Sequence, residues 1–333
     1  MKKKIAIIIG LLVLMFLVFM AGWLLKEKFS KQSYVSSPLR LTDFKFARPL
    51  LVCDTNPNKA NPELQSLEVK LKNLIDKEKK DKKVSTASVY MQDFKTDGRI
   101  DINKDEKFDS ASMGKVSIAL AFFRLAESDY SILSQRIKYN SGRDENFSQE
   151  IKPNDYAKIG ETYTIQELIE KMLKYSDNNS TYMLLSFLEP GKLQELYQDL
   201  QVPGQMDPQK PGGYDYMTTR DVSYFFRVLY NSTYLMNDLS EKILEILTET
   251  DYKNGLVAGV PEGIVVAHKF GLTSLESNGN IVERELHDCG IIYHPDNPYL
   301  LCVMTKSSST VPDIESAIKD ISSMVYQYAN KKQ

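Results

Sequence analysis

Ser112-Met113-Gly114-Lys115-Val116-Ser117-Ile118-Ala119-Leu120-Ala121-Phe122-Phe123 joins an S-x-x-K tetrapeptide to an apolar run with the character of a buried helix. If Ser112 opens that helix, Lys115 stands one turn further along the same face, within reach of the serine hydroxyl. A serine hydroxyl is a weak nucleophile until an adjacent base takes its proton, and a partly desolvated lysine can be that base. Ser112 is therefore the candidate nucleophile and Lys115 its general base. Two fixed positions in four also arise by chance in chains of this length, so the reading depends on partners downstream.

Two partners follow in order. The capping box Thr164-Ile165-Gln166-Glu167 and the stripe Ile165, Leu168, Ile169, Met172 and Leu173 predict a helix that runs into Ser176-Asp177-Asn178. Alone, that tripeptide is an ordinary helix-to-helix turn with an N-cap. Further on, His268-Lys269-Phe270-Gly271 lies in a strand-like stretch, where a single lysine is normally a solvated edge charge. Together, Ser112-x-x-Lys115, Ser176-Asp177-Asn178 and Lys269-x-Gly271 make the ordered motif set of penicillin-recognising serine acyl enzymes. Phe108-Asp109-Ser110-Ala111-Ser112, Tyr175 to Ser180, Thr218-Thr219-Arg220-Asp221 and His287 to Tyr293 extend the likeness. Residues 65 to 330 thus resemble the class A β-lactamase family, within the β-lactamase and penicillin-binding protein superfamily.

The element pattern predicts an α+β domain over 62–333. The resemblance makes it a β-lactamase/transpeptidase-like domain: an antiparallel sheet flanked by helices, plus an all-helical lobe. A helix is expected from Pro62, with Leu64, Leu67, Leu71, Leu74 and Ile75 on one side, then a strand from Val84 to Phe94. Further helices start at Thr218 and Ser240. Strands are expected at Gly263 to Phe270, Leu286 to Tyr293 and Tyr299 to Thr305, the last two as a hairpin. A closing helix starts at Pro312.

The motif set has a coherent chemical reading. The backbone N–H groups of Ser112 and Leu272 would hold the developing oxyanion, and Gly271 lets substrate approach the strand edge. Ser176 would pass a proton to the leaving nitrogen, with Lys269 holding that hydroxyl and attracting a substrate carboxylate. Asn178 would orient Lys115 and contact substrate, while Asp177 braces the turn from inside. Strand alternation turns His268 away from the cleft, and neither His268 nor His287 has further ligands at metal spacing. No metal and no cofactor is expected.

Two departures from the family matter. Class A enzymes hydrolyse their acyl-enzyme with a glutamate in a pattern ending Glu-x-x-Leu-Asn, and Leu200 to Tyr216 contains no glutamate. Asp207 and Asp215 are the carboxylates left there as candidate deacylation bases, against a plain reading as turn residues. Phe270 stands where the family has Thr or Ser, which removes a hydroxyl for a substrate carboxylate. Arg284 is the nearby candidate for an alternative clamp.

The two ends carry separate information. Lys2, Lys3 and Lys4 precede an uncharged stretch from Ile5 to Leu25, long enough to cross a bilayer as a helix. An uncleaved anchor over 1–31, with the body on the extracytoplasmic side, is expected ahead of a cleaved signal peptide. Residues 32–61 read as a linker or stalk, with a short strand near Pro49 to Val52. Formal net charge is −2, from 42 basic and 44 acidic residues, so nucleic acid is excluded as a partner. Cys289 and Cys302 flank an expected hairpin, across which they could face each other. Two small buried hydrophobes is the reading preferred over a bond.

The leading expectation is a membrane-anchored serine acyl enzyme that opens a lactam or amide bond at Ser112, slowly released for want of the glutamate. A cell-wall D,D-peptidase or transferase acting on a peptidoglycan-stem-like substrate is the alternative enzyme. A degenerate module that binds peptidoglycan or a protein without turnover is the alternative outside the enzymes, and a serine glutaminase is a minor one.

Overall fold

The computed structural model describes residues 10, 13–16, 18–20, 38–52, 62–203 and 216–331. It forms two units, Met1–Ser37 and Pro38–Gln333. The described residues of the first unit are helical. Among the described residues no helix is long and apolar enough to cross a membrane. The span expected from Ile5 to Leu25 lies mostly outside them.

In chain order the second unit contains β1 (Leu39–Arg40), β2 (Leu50–Val52), α1 (Pro62–Lys80), β3 (Thr86–Asp93), β4 (Arg99–Ile102), β5 (Phe108–Asp109) and α2 (Lys115–Ala126). There follow β6 (Arg136–Lys138), β7 (Thr162–Thr164), α3 (Ile165–Lys174), α4 (Asn178–Phe187), α5 (Lys192–Leu200), β8 (Tyr216–Met217), α6 (Thr219–Asn231) and α7 (Asn237–Thr248). The chain closes with β9 (Val266–Ser277), β10 (Asn280–Ile292), β11 (Tyr299–Ser307) and α8 (Val311–Asn330).

An antiparallel sheet in the order β4-β3-β11-β10-β9 divides the unit. Its alternating side chains feed two cores, as a period of two requires. Leu301 and Val303 of β11 pack with Leu67, Leu71 and Ile75 of α1 and Ile314, Ile318 and Val325 of α8. Leu300, Cys302 and Met304 face the opposite way, into a helical lobe built on α2, α3, α6 and α7. The helices start where the sequence says they should. Thr164 and Thr218 close capping boxes with Glu167 and Asp221, and Thr310 caps α8 with a proline in its first turn.

Three expectations need correction. β9 and β10 extend well beyond Phe270 and form a hairpin of their own around Asn278 and Gly279, both in the left-handed region at φ 52° and 77°. Asn-Gly is the strongest short hairpin signal, because such a turn needs two positive φ values. The stretch 38–52, expected as stalk, is docked on the body. The Glu241 carboxylate accepts the backbone N–H groups of Lys45, Phe46 and Ala47 at 2.6–3.0 Å, Phe46 and Ala47 are buried, and Arg40 donates to Asn231 Oδ1 at 2.6 Å. Finally, Cys289 and Cys302, exact partners in the β10–β11 register, are joined by a disulfide.

Candidate active site

The nucleophile's turn is built before the helix begins. Asp109 at the end of β5 accepts the Ala111 amide at 2.9 Å, and Met113 N donates to Ser110 O at 2.9 Å. Ala111–Gly114 then form one turn of 3-10 helix leading into α2. The Lys115 backbone N–H closes this turn on Ser112 O and Met113 O, one turn along the chain from the serine. Ala111 sits at φ 45°, a left-handed conformation that costs an L-residue on the order of 1–2 kcal/mol. Ala111, Met113, Gly114 and Lys115 are buried, while Ser112 is partly open to solvent. From behind, Glu285 Oε2 accepts Asp109 N at 2.8 Å and His287 Nε2 lies 2.9 Å from Asp109 O. Burial pushes the Glu285 carboxyl up to about 7 and the His287 imidazole down to about 4.

The second wall is the turn between α3 and α4. Ser176 adopts φ 58° and Asp177 caps α4 through the Asn179 and Ser180 amides at 3.0 and 3.1 Å. Asp177 also accepts Asn146 Nδ2 at 2.7 Å and Ala157 N at 2.9 Å. Its carboxylate is thus consumed inside the turn, and the flanking Ser176 and Asn178 are the residues that meet Lys115. Lys115 Nζ donates to Ser176 O at 2.6 Å, Ser176 Oγ at 3.3 Å and Asn178 Oδ1 at 2.7 Å. Complete burial lowers the Lys115 amine to about 7, with Asp177 opposing the shift.

The third wall is β9, an edge strand. A Cβ on Gly271 would lie 3.0 Å from Ser112 N and 3.2 Å from Ala111 Cβ. Glycine therefore lets the strand backbone approach the Ser112 amide closely. Leu272 follows on the same edge. Lys269 is fully buried, and its Nζ donates to Phe270 O at 2.9 Å rather than to Ser176. Burial, and then the Lys115 charge, push this amine well below its ordinary value. Phe270 does not fill the cleft. It is buried and stacks on Tyr252 at 4.2 Å between centroids.

A loop missed by the motif reading closes over these walls. Gln149 Nε2 donates to Ser176 O at 3.0 Å, and the next residue, Glu150, takes the Ser274 hydroxyl of β9 and Arg284 Nε, the latter at 3.1 Å. Two consecutive residues thus tie the Ser176 turn to the β9–β10 hairpin. Arg284, read as a carboxylate clamp, is engaged by Glu150 and by Ser309 O at 3.0 Å. No local pattern marks Gln149 or Glu150, because their partners lie 27 and 124 residues away.

The structure thus brings Lys115 together with Ser176 and Asn178 and Gly271 against the Ser112 amide, with Asp177 inside the facing turn; Lys269 meets Phe270, and the Leu272 side chain packs with the core that holds α1 and α8. Asp207 and Asp215 lie outside the described residues. His268 points to the reverse face of the sheet. Among the described residues no group of three or more metal-capable side chains comes together.

No curated protein sequence is significantly similar to the chain. Solved structures are similar in fold. A mutant of PBP-A, described as an acyl-enzyme complex with penicillin G, superposes with TM-score 0.68 at 23% identity, covering 81% of this chain and 98% of that one. The TLA-3 extended-spectrum β-lactamase gives 0.67 at 21% identity, covering 78% and 98%. A class A β-lactamase representative from Bacteroides cellulosilyticus gives 0.66 at 20%, covering 80% and 99%. The model of the β-lactamase enzyme family matches residues 66–329, a region that holds every motif of the cleft, and the chain belongs to that family.

Proposed function

We propose that the protein is an extracytoplasmic serine acyl enzyme that opens a lactam or amide bond at Ser112. The observation that carries this is the placement of the Lys115 amine. It is buried one turn after Ser112, held by Ser176 and Asn178, and brought to about 7, where a neutral amine is well populated at physiological pH. Lys115 takes the Ser112 proton as Oγ attacks the carbonyl carbon. The Ser112 and Leu272 amides stabilise the oxyanion. The C–N bond then breaks as the proton moves from Lys115 through the Ser176 hydroxyl, 3.3 Å away, to the departing nitrogen. Lys269 supplies positive charge for a substrate carboxylate.

Release of the acyl group is slow in this reading, because Leu200 to Tyr216 offers no glutamate to activate water. A second reading, a cell-wall peptidase or transferase, is favoured by that same absence, since such an enzyme has no need of a dedicated water-activating glutamate. The Cys289–Cys302 disulfide supports an oxidising compartment, and the stretch from Ile5 to Leu25 supports anchoring in the membrane. The test is to follow the mass of the Ser112 peptide over time after exposure to a fluorescent penicillin. A persistent adduct lost in Ser112→Ala supports a penicillin-binding enzyme, and a transient adduct with turnover of a chromogenic lactam supports a β-lactamase. Absence of any adduct would leave the domain as a binding module or as an enzyme for an unrelated amide.

A further inference from the structure

The turn that presents Ser112 begins with little support of its own. β5 is two residues long and pairs with another two-residue strand, β8, so ladder hydrogen bonds hold it weakly. Ala111, two residues beyond β5, keeps φ 45°, and a strained conformation of that kind persists only where its surroundings over-determine it. Part of the support is local, from Asp109 Oδ1 on the Ala111 amide and Ser110 O on Met113 N, both at 2.9 Å. The peptide groups of Asp109 itself must then be fixed from elsewhere.

β10 fixes them. Glu285 and His287 stand two apart on one face of that strand, and together they take both backbone polar groups of one residue. Glu285 Oε2 accepts Asp109 N at 2.8 Å, and His287 Nε2 lies 2.9 Å from Asp109 O. Thr305 N donates to His287 Nδ1 at 3.3 Å, so the ring proton belongs on Nε2, where it donates to Asp109 O. The imidazole is fully buried and packs edge-on against Phe108, at 5.4 Å between centroids. Glu285 is buried too. Burying a carboxyl costs free energy unless it is hydrogen-bonded, and Lys306, its cross-strand partner on β11, donates instead to Glu106 and to Lys107 O, each at 2.8 Å. Glu285 is therefore placed for the Asp109 amide. On β9 the register partner of His287 is Gly271, the glycine against the Ser112 amide. One stretch of sheet thus backs both the strand wall and the turn of the nucleophile.

We propose that Glu285 and His287 are positioning residues for acyl transfer, clamping the N–H and the C=O of Asp109 so that Asp109 holds Ala111 left-handed and Ser112 in its reactive place. The role rests on the acyl-enzyme reading above, since it serves the nucleophile assigned there. Both side chains act through Asp109 and not on the reacting atoms. What Glu285 supplies is a single acceptor oxygen, which a glutamine also carries.

The test follows Ser112 acylation by a fluorescent penicillin in stopped flow, with the acylation rate constant separated from the affinity of the preceding complex. Glu285→Leu should lower the rate constant about 10²-fold, as a displaced nucleophile does, and leave the affinity unchanged. Glu285→Gln should restore most of the rate. A Gln variant as slow as Leu, or a loss that falls on affinity alone, overturns the proposal. In an Asp109→Ala background, which cuts the link to Ala111, the Glu285→Leu loss should shrink, and losses that multiply in full count against it. NMR gives two readouts without acylation. The His287 ring of the wild type should carry its proton on Nε2, and a proton on Nδ1 overturns the clamp. Hydrogen exchange at the Ala111 amide should quicken in Glu285→Leu, and unchanged protection overturns it as well. A wild type that never labels while both NMR results hold would sink the acyl-enzyme reading and leave the clamp on the Ser112 turn standing. Should Glu285→Leu fail to fold, Glu285→Gln must still label at close to the wild-type rate, and a large loss there contradicts the proposal.

Discussion

Lys115 and Lys269 are both fully buried amines in one cleft, but the chain surrounds them differently. Lys115 stands at the start of a helix with three oxygens from a single turn around its Nζ. Lys269 stands in mid-strand with one backbone carbonyl and an aromatic ring. A helix start with a rigid facing turn can fix an amine's direction to within a hydrogen bond. An edge strand fixes its position and leaves its charge to the field of the sheet. The first arrangement suits a group that exchanges a proton; in the second, burial and then the Lys115 charge push the amine well below its ordinary value.

The harshest way to break this contrast is Lys115→Met, which keeps the volume and removes the base. Acylation should fall by about 10²–10⁴-fold, and the wild-type rate should rise with pH through about 7 as Lys115 loses its proton. Stopped-flow labelling from pH 5 to 9 checks both, and a rate flat across that range would contradict Lys115 as base. Gly271→Val attacks the strand side. Side-chain atoms there press on Ser112 N, so one oxyanion donor should be lost and acylation should drop by about 10²–10³-fold. Penicillin labelling together with a melting curve separates that loss from unfolding.

A gentler change bears on the scaffold under Lys269, since Cys289 pairs with Lys269 across the strands. Cys302→Ser opens the bridge, whose ends are 13 residues apart, and should cost about 3 kcal/mol of stability. Denaturant titration should find that loss with the Lys115 limb of the pH profile unmoved. The smallest effect belongs to Glu150→Gln. Its pair with Arg284 is partly solvated, so about 0–1 kcal/mol is at stake. Acylation should change less than about fivefold, and a larger loss would make the loop part of the binding surface.

The cleft's legibility in sequence follows the same division. Ser112 with Lys115, and Ser176 with Asn178, are short-range pairs whose geometry is set by one turn of chain, so motif spacing identifies them. The strand side was legible by residue and less so by partner. Lys269 was expected to hold the Ser176 hydroxyl, and it donates instead to Phe270 O. Phe270 itself joins Tyr252 away from the cleft, because alternation on β9 sends it to the reverse face. The length of the β9–β10 hairpin is written in Asn278-Gly279, whose two positive φ values make the turn. Glu150 on Ser274, and Glu241 on residues 45–47, join segments more than a hundred residues apart. No periodicity announces such contacts. The disulfide is half legible: the hairpin between Cys289 and Cys302 allows them to meet, while two buried cysteines read equally as small hydrophobes until the register makes them partners.

Ala111 and Ser176 flank the reacting groups, and both hold backbone conformations that glycine would occupy without strain. An engineer seeking a hardier version of this domain would reach first for Ala111→Gly, and would relax the turn whose stiffness presents the nucleophile. Durability and reactivity therefore compete at a single peptide unit, and variants selected only for heat resistance should drift toward a domain that folds well and labels poorly.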